Sequence, residues 1–254
     1  QLMQELVTPH ADTVDAFADQ DDVAELLAST ATPTIAVIDG EGRLIGALRH
    51  RALLGIAEED AAAMMQQMVG ASPDERALSP VRLAVKKRLP WLNINLLTAF
   101  IAAAVVGLFE NTIAQVTSLA ILLPVVAGQS GNSGSQALAV TMRGLALREI
   151  RVGQWPQVTR KEASVALING IAVAVTTSVG VLLWSGSIGL SLVIGTSMVL
   201  SMVAAGIAGV IVPTVLTASG QDPAQSSSII LTTVTDVVGF SSFLGIATLL
   251  SSML

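Results

Sequence analysis

The sequence has no cysteine and no tyrosine, only two histidines, and few aromatic or charged residues. The missing cysteines exclude disulfides, thiolate metal sites and cysteine nucleophiles together. Both histidines, His10 and His50, lie in the first fifth of the chain. A histidine- or cysteine-based zinc site further along therefore has no ligands. Charged residues make up 13% of the chain, where a soluble domain carries about a quarter. No nucleic-acid partner is expected.

What the chain has instead is apolar length. Of its 254 residues, 52% are hydrophobic and the mean hydropathy is +0.70. The distribution is uneven. Residues 1–90 hold fourteen acidic and eight basic residues, whereas 91–254 hold five of each. An acidic soluble segment thus precedes a neutral, apolar block. The chain begins at Gln1 without a signal-peptide pattern, and a natural N-terminus further upstream is expected.

A bilayer core of about 30 Å needs about 20 mostly apolar helical residues. Five stretches meet or approach that length: 92–109, 113–147, 163–184, 188–216 and 226–254. The second is too long for a simple span and carries Pro124, Gly128, Gly131 and Gly134. It is expected to break, bend and run on into the cytosol. Arg82, Lys86, Lys87 and Arg88 precede the first stretch, and Arg143, Arg148, Arg151, Arg160 and Lys161 fill the junction after the second. Basic residues mark the cytoplasmic side, so five spans put the N-terminus inside and the C-terminus outside, in a cell (inner) membrane.

Before the membrane, 19–29 has helical spacing, 34–39 reads as a strand ended by Asp39-Gly40, 43–48 as a second strand, and 52–57 as the start of a helix. This order fits one α/β CBS-like module over 1–60. An amphipathic connector at 61–69 and a basic linker to residue 90 follow. The membrane domain is expected over 91–254.

Asp236 is the sharpest chemical signal. A carboxylate at the bilayer centre costs about 2.5–3.5 kcal/mol on insertion scales, so it must face protein or a wet cavity. Ser228, Thr232, Thr235 and Gly239 share its face at helical spacing. Hard divalent cations take oxygen ligands and keep several waters, which suits one carboxylate beside hydroxyls. The bland alternative is an aspartate neutralised by a proton or a helix–helix hydrogen bond. Gly128-Gln129-Ser130-Gly131-Asn132-Ser133-Gly134-Ser135-Gln136 comes next. Its glycines and the preceding Pro124 permit non-helical backbone, tolerated at membrane depth only where it lines water or is buried. Close helix packing through small residues is the competing reading. Gly131-Asn132-Ser133-Gly134 also fits the Gly-x-Ser-Gly pattern of rhomboid-type serine proteases, but the spans hold no histidine to act as base. Glu110 stands at the outer end of the first span, and Glu58, Glu59 and Asp60 open the connector. Both sets serve equally as solvated carboxylates.

Three sets of residues together resemble the MgtE family of Mg²⁺ channels. They are Pro90-Trp91-Leu92 through Phe109-Glu110, Gly131-Asn132-Ser133-Gly134-Ser135-Gln136 with Arg143-Gly144-Leu145-Ala146, and Thr232-Thr233-Val234-Thr235-Asp236-Val237-Val238-Gly239. The resemblance implies a homodimer in the lipid bilayer with an ion path at its axis, lined by the second and fifth spans. It implies that Asp236 holds hydrated Mg²⁺, with Thr232 and Ser228 one and two turns earlier. Asn132, with Gly131, Gly134 and Gln136, would border the pore. Mg²⁺ is implied both as the transported ion and as a regulator acting at Glu58, Glu59 and Asp60 through the connector. Only about one CBS module is present, and Arg49-His50-Arg51-Ala52 replaces the polar positions of a nucleotide-binding module, so ATP binding is not expected. The alternatives are a secondary exchanger of Mg²⁺ or Co²⁺ against Na⁺ or protons, and a membrane sensor that transports nothing. No enzyme activity is expected.

Overall fold

A computed structural model describes residues 13–18, 22–23, 26, 34–49, 59 and 61–254. The chain divides into two compact units, Gln1–Met65 and Gln66–Leu254.

The first unit holds a three-stranded sheet in the order β1 (Thr13–Asp15), β2 (Thr34–Ile38), β3 (Leu44–Arg49). β2 and β3 are the expected pair, antiparallel, with Ile35 opposite Leu48. Asp39 builds their turn: its carboxylate accepts from the Glu41 and Arg43 amides at 3.0 and 2.8 Å. Gly42 follows at φ 77°, the left-handed residue of a hairpin bulge. β1 was not foreseen. It pairs with β2 in parallel, a long-range pairing that local spacing does not encode. Ile35, Val14 and Val23 form the small core. The helix expected at 52–57 lies outside the described residues, as do Glu58 and Asp60 and both histidines.

The second unit is helical. Its elements are α1 (Val81–Gly107), α2 (Glu110–Gln115), α3 (Ser118–Ala146), α4 (Trp155–Ser185), α5 (Ile188–Ala218) and α6 (Pro223–Leu249). Residues 61–68 are also helical, as expected of the connector. That helix ends in a Schellman turn, with Ala71 N–H donating to Gln66 O and Gly70 N–H to Gln67 O, both 2.9 Å. Gly70 takes the left-handed conformation at φ 77°. Among the described residues, four helices are long and apolar enough to cross a membrane: α1, α4, α5 and α6. α3 has the length but not the hydropathy.

Two expectations are corrected here. The first apolar stretch, 92–109, is not a helix of its own: α1 starts at Val81 and runs through Pro90. The second does not break at Pro124 or its glycines, because α3 is one helix of 29 residues. Proline in a helix interior removes a single backbone hydrogen bond. A membrane helix tolerates that loss where neighbouring helices, Ser/Thr side chains and local adjustment satisfy the freed carbonyl, whereas a full break would strand more backbone groups without water.

α5 is the hub: it packs on α4, α3 and α6, and half of its apolar window is buried. α1 packs chiefly on α6, with Ala102 its only buried residue. Lipid is as apolar as leucine, so helices in it associate through close packing and hydrogen bonds. Glycines on α5 make that closeness. A Cβ on Gly206 would stand 2.7 Å from Ala166 Cβ of α4, and one on Gly209 would stand 2.7 Å from both Ala137 Cβ and Gly134 O of α3. Most buried hydroxyls are satisfied locally or across helices: Ser201 Oγ lies 2.7 Å from Ser197 O and 2.8 Å from Ser242 Oγ of α6.

Candidate functional site

α6 begins at a firm cap. Asp222 accepts from Ala224 N–H at 2.9 Å, and Pro223 takes the first helical position. From there Ser228, Thr232 and Asp236 succeed one another at four-residue intervals along one side. Asp236 stands at the midpoint of Pro223–Leu249, thirteen residues from either end. It is half-buried. Among the described residues it has no hydrogen-bond or ion-pair partner.

α3 runs antiparallel to α6 beside it. A Cβ on Gly134 would lie 3.1 Å from Leu231 Cδ1 and 3.2 Å from Thr235 Cγ2, and one on Gly239 would lie 3.4 Å from Ser130 Oγ. The stripe read from spacing therefore divides. Thr235 and Gly239 face inward and are buried against α3, while Ser228, Thr232 and Asp236 look out beside it. Period alone could not tell these two sides apart, since Thr235 and Asp236 are only about 100° apart on the helix.

Ser228 and Thr232 line a cavity of about 650 Å³ together with Ser135 of α3, Asn95 and Arg88 of α1, and residues 68–71 after the connector helix. Thr232 Oγ1 donates to Ser228 O at 2.8 Å, so the oxygen's lone pairs are the part it can offer a visitor. The cavity brings hydroxyl and amide oxygens to the end of α6 that precedes Asp236. The walls are mixed, with these groups beside Trp91, Leu92, Ile229 and the Arg88 guanidinium; it is the hydroxyl and amide oxygens among them that suit a hard, partly hydrated cation.

The remaining expected residues are distributed differently. Asn132 is exposed on α3, and Gly131 is half-buried with nothing within 4 Å of where its Cβ would be. Gly128 is equally open. Gly134 is a packing glycine, buried between α5 and α6. Gln136 lies in another cleft, of about 170 Å³, with Ser133, Asn169, Lys161 and Glu162. It is not brought together with Ser228 and Thr232. Glu59 is exposed and helical. Glu110 opens the short helix α2.

Sequence reasoning passed over Glu162, buried in α4 and paired with Lys161. The signal was present: a carboxylate among five basic residues at the head of a span. Glu75 was also missed. It is buried and held by the Arg88 guanidinium, with Arg88 Nε at 3.0 Å from Oε2 and Nη2 closing on Oε1. Beside it Lys87 Nζ donates to Asp74 at 2.9 Å, and the lysine holds the Asp74 carboxyl below its ordinary range.

The second unit is thus a helical assembly with several membrane-length helices, a mid-helix carboxylate with no partner among the described residues, and a cavity part-lined by hydroxyls of the same helix. The family model for MgtE, described as a divalent cation transporter, matches residues 123–246. Three curated proteins named magnesium transporter MgtE match over nearly the whole chain. The Thermus thermophilus protein is 32% identical over 249 residues, which is 97% of this chain and 55% of that protein. The Bacillus subtilis and Enterococcus faecalis proteins are 27% and 26% identical over 248 residues, 98% of this chain and 55% and 54% of theirs. The chain spans about half the length of the curated relatives it matches. The resemblance read from the sequence holds, with the family model matching over residues 123–246.

Proposed function

We propose that this chain conducts Mg²⁺ passively into the cell through a homodimeric pore, with Asp236 holding the hydrated ion. The observation that carries the reading is an unpartnered, half-exposed carboxylate at the centre of a membrane-length helix. Supporting it are the hydroxyls of Thr232 and Ser228 on the same side and the names of the relatives. An inside-negative potential supplies about 2.3 kcal/mol per charge per 100 mV, doubled for a divalent ion. Two symmetry-related Asp236 carboxylates would present matching negative charge.

The dimer is proposed because α3 leaves a side carrying Gly128, Gly131 and Asn132 open next to Asp236. Polar groups facing lipid are costly, and glycines invite a second backbone to approach. A second copy covering this side would place Asn132 and Gly131 along the path. In this reading α3 is a fifth span, the N-terminus is cytoplasmic and the C-terminus is outside. Residues 1–60 form a CBS-like module, 61–90 a connector, and 91–254 the conducting domain. Residues 68–71, which line the cavity with Ser228 and Thr232, then act as the gate. Regulatory Mg²⁺ at Glu58, Glu59 and Asp60 would set its position.

The test is Mg²⁺ entry into proteoliposomes loaded with a Mg²⁺-sensitive dye, comparing the full chain with Asp236→Ala. Potential-driven entry without a counter-ion, abolished by the substitution, is expected. Entry that requires a Na⁺ or proton gradient would replace the channel by an exchanger. No entry by folded protein under any gradient would leave the sensor.

A further inference from the structure

A second large cavity shares Arg88 with the hydroxyl-bearing one. It has a volume of about 680 Å³ and forms where the strap after the Schellman turn folds back along the start of α1. One wall is apolar: Val81, Val85, Leu89 and Leu92 of α1, each more than half exposed. They recur at intervals of four, four and three, so they make one stripe running down the helix. The rim is cationic. Arg88 and Arg76 both line the cavity. The fork of Arg88 is occupied by Glu75, whereas no described residue pairs with Arg76. Between residues 74 and 88 the sequence holds two acidic and five basic residues, leaving a net positive collar.

A lipid-facing helix needs no groove, and a solvated loop needs no apolar wall. Here a groove of side-chain scale joins a free guanidinium to an apolar stripe that continues into a membrane-length helix. The charge is complementary to a phosphate, and the stripe to an acyl chain. We propose that this groove binds one anionic phospholipid, its headgroup phosphate on Arg76 and one chain along Val81, Val85 and Leu89. The lipid would bridge the strap and α1, so the bound state would stiffen the segment that leads to the connector. The inference rests on α1 lying in the membrane, but not on Mg²⁺ conduction.

Native mass spectrometry of the full chain in a neutral detergent tests it. Phosphatidylglycerol or phosphatidylcholine is added back, with inorganic phosphate as a control. Phosphatidylglycerol should give a discrete one-to-one adduct that phosphatidylcholine does not. Arg76→Gln should weaken it about fivefold, the value of one cationic side chain at an anionic surface. Ala84→Trp, which fills the groove without touching a charge, should abolish it, while Arg82→Gln, outside the lining, should change it less than Arg76→Gln does. Circular dichroism identifies a variant that fails to fold, and the other then decides. Equal adducts with both lipids, retention in both Arg76→Gln and Ala84→Trp, or displacement by inorganic phosphate alone would overturn the proposal. A change of oligomeric state in Ala84→Trp without loss of lipid would also overturn it and give the groove to a second copy.

Discussion

The packing of α3 on α5 yields a prediction with a worked magnitude. In Gly209→Ala the new methyl would sit 2.7 Å from Ala137 Cβ, 2.7 Å from Gly134 O and 2.9 Å from Leu138 N. Two of those three atoms are backbone, so no rotamer change relieves them and the helices must part by several tenths of an ångström. Overpacking of this kind costs about 1–3 kcal/mol. Exchanging a helix glycine for alanine also returns about 1 kcal/mol of propensity, which masks part of the loss. Gly180→Ala supplies the reference, because Gly180 sits inside α4 with nothing within 4 Å of its would-be Cβ. The propensity gain is common to both, so their difference isolates the packing term at about 1–3 kcal/mol. Reversible unfolding in mixed micelles with increasing denaturing detergent would measure it. Gly180→Ala should be more stable than the parent and Gly209→Ala less stable than Gly180→Ala by that margin. If the two variants unfold together, the close approach of α3 to α5 is wrong. The position of the open side of α3 beside Asp236 would be wrong with it.

The strap offers two further tests. Arg88→Gln leaves the Glu75 carboxylate buried without its partner, whereas Glu75→Gln leaves only a half-exposed guanidinium. The first should therefore cost more, about 1.5–3 kcal/mol for a lost charged hydrogen bond, and the second less, as exposed charges are screened. Hydrogen exchange over residues 71–79 would check the order, and equal protection in both variants would contradict it. Asp74 carries a pH dependence. Lys87 depresses its carboxyl in the folded state, so the pairing stabilises above the ordinary carboxylate range and is lost as pH falls through the depressed value. A carboxyl-carbon NMR titration should find Asp74 returning to its ordinary value in Lys87→Gln, and no change there would remove the pair from solution.

Sequence spacing was a good guide wherever one residue dictates local geometry. Asp39 fixed the hairpin turn, and the gap between the stretches 163–184 and 188–216 holds the turn between α4 and α5. In that turn Gly186 has φ 67°, and Ser187 caps α5 through Leu190 N–H at 3.1 Å. Asp236 stood out because charge at mid-span is expensive. Proline and glycine misled, because their meaning depends on what lies opposite. Pro90 and Pro124 read as boundaries, yet α1 and α3 run through them. Gly131 and Gly134 are three residues apart in one motif, yet one faces open space and the other is wedged between two helices. No local pattern separates them, since the difference is made by Leu231, Thr235 and Ala205, 71 to 101 residues away in the chain.

The same reasoning explains why α3 alone among the long helices falls short of membrane hydropathy. Its first turns, with Leu119, Leu122 and Val126 buried, are as apolar as any span. The deficit is concentrated at 128–136, where six glycine and serine residues stand with Gln129, Asn132 and Gln136. If that stretch lay outside the bilayer, its register with α6 would be free. It is not free: Gly134 packs at the level of Thr235, and Ser130 at the level of Gly239, on either side of Asp236. The polar stretch of one helix and the single carboxylate of the other therefore occupy the same height. A membrane protein concentrates polar groups at one depth only where they meet each other or water. The weakness of α3 as a span is thus the counterpart of the charge on α6, and the proposed ion path would cross at that level.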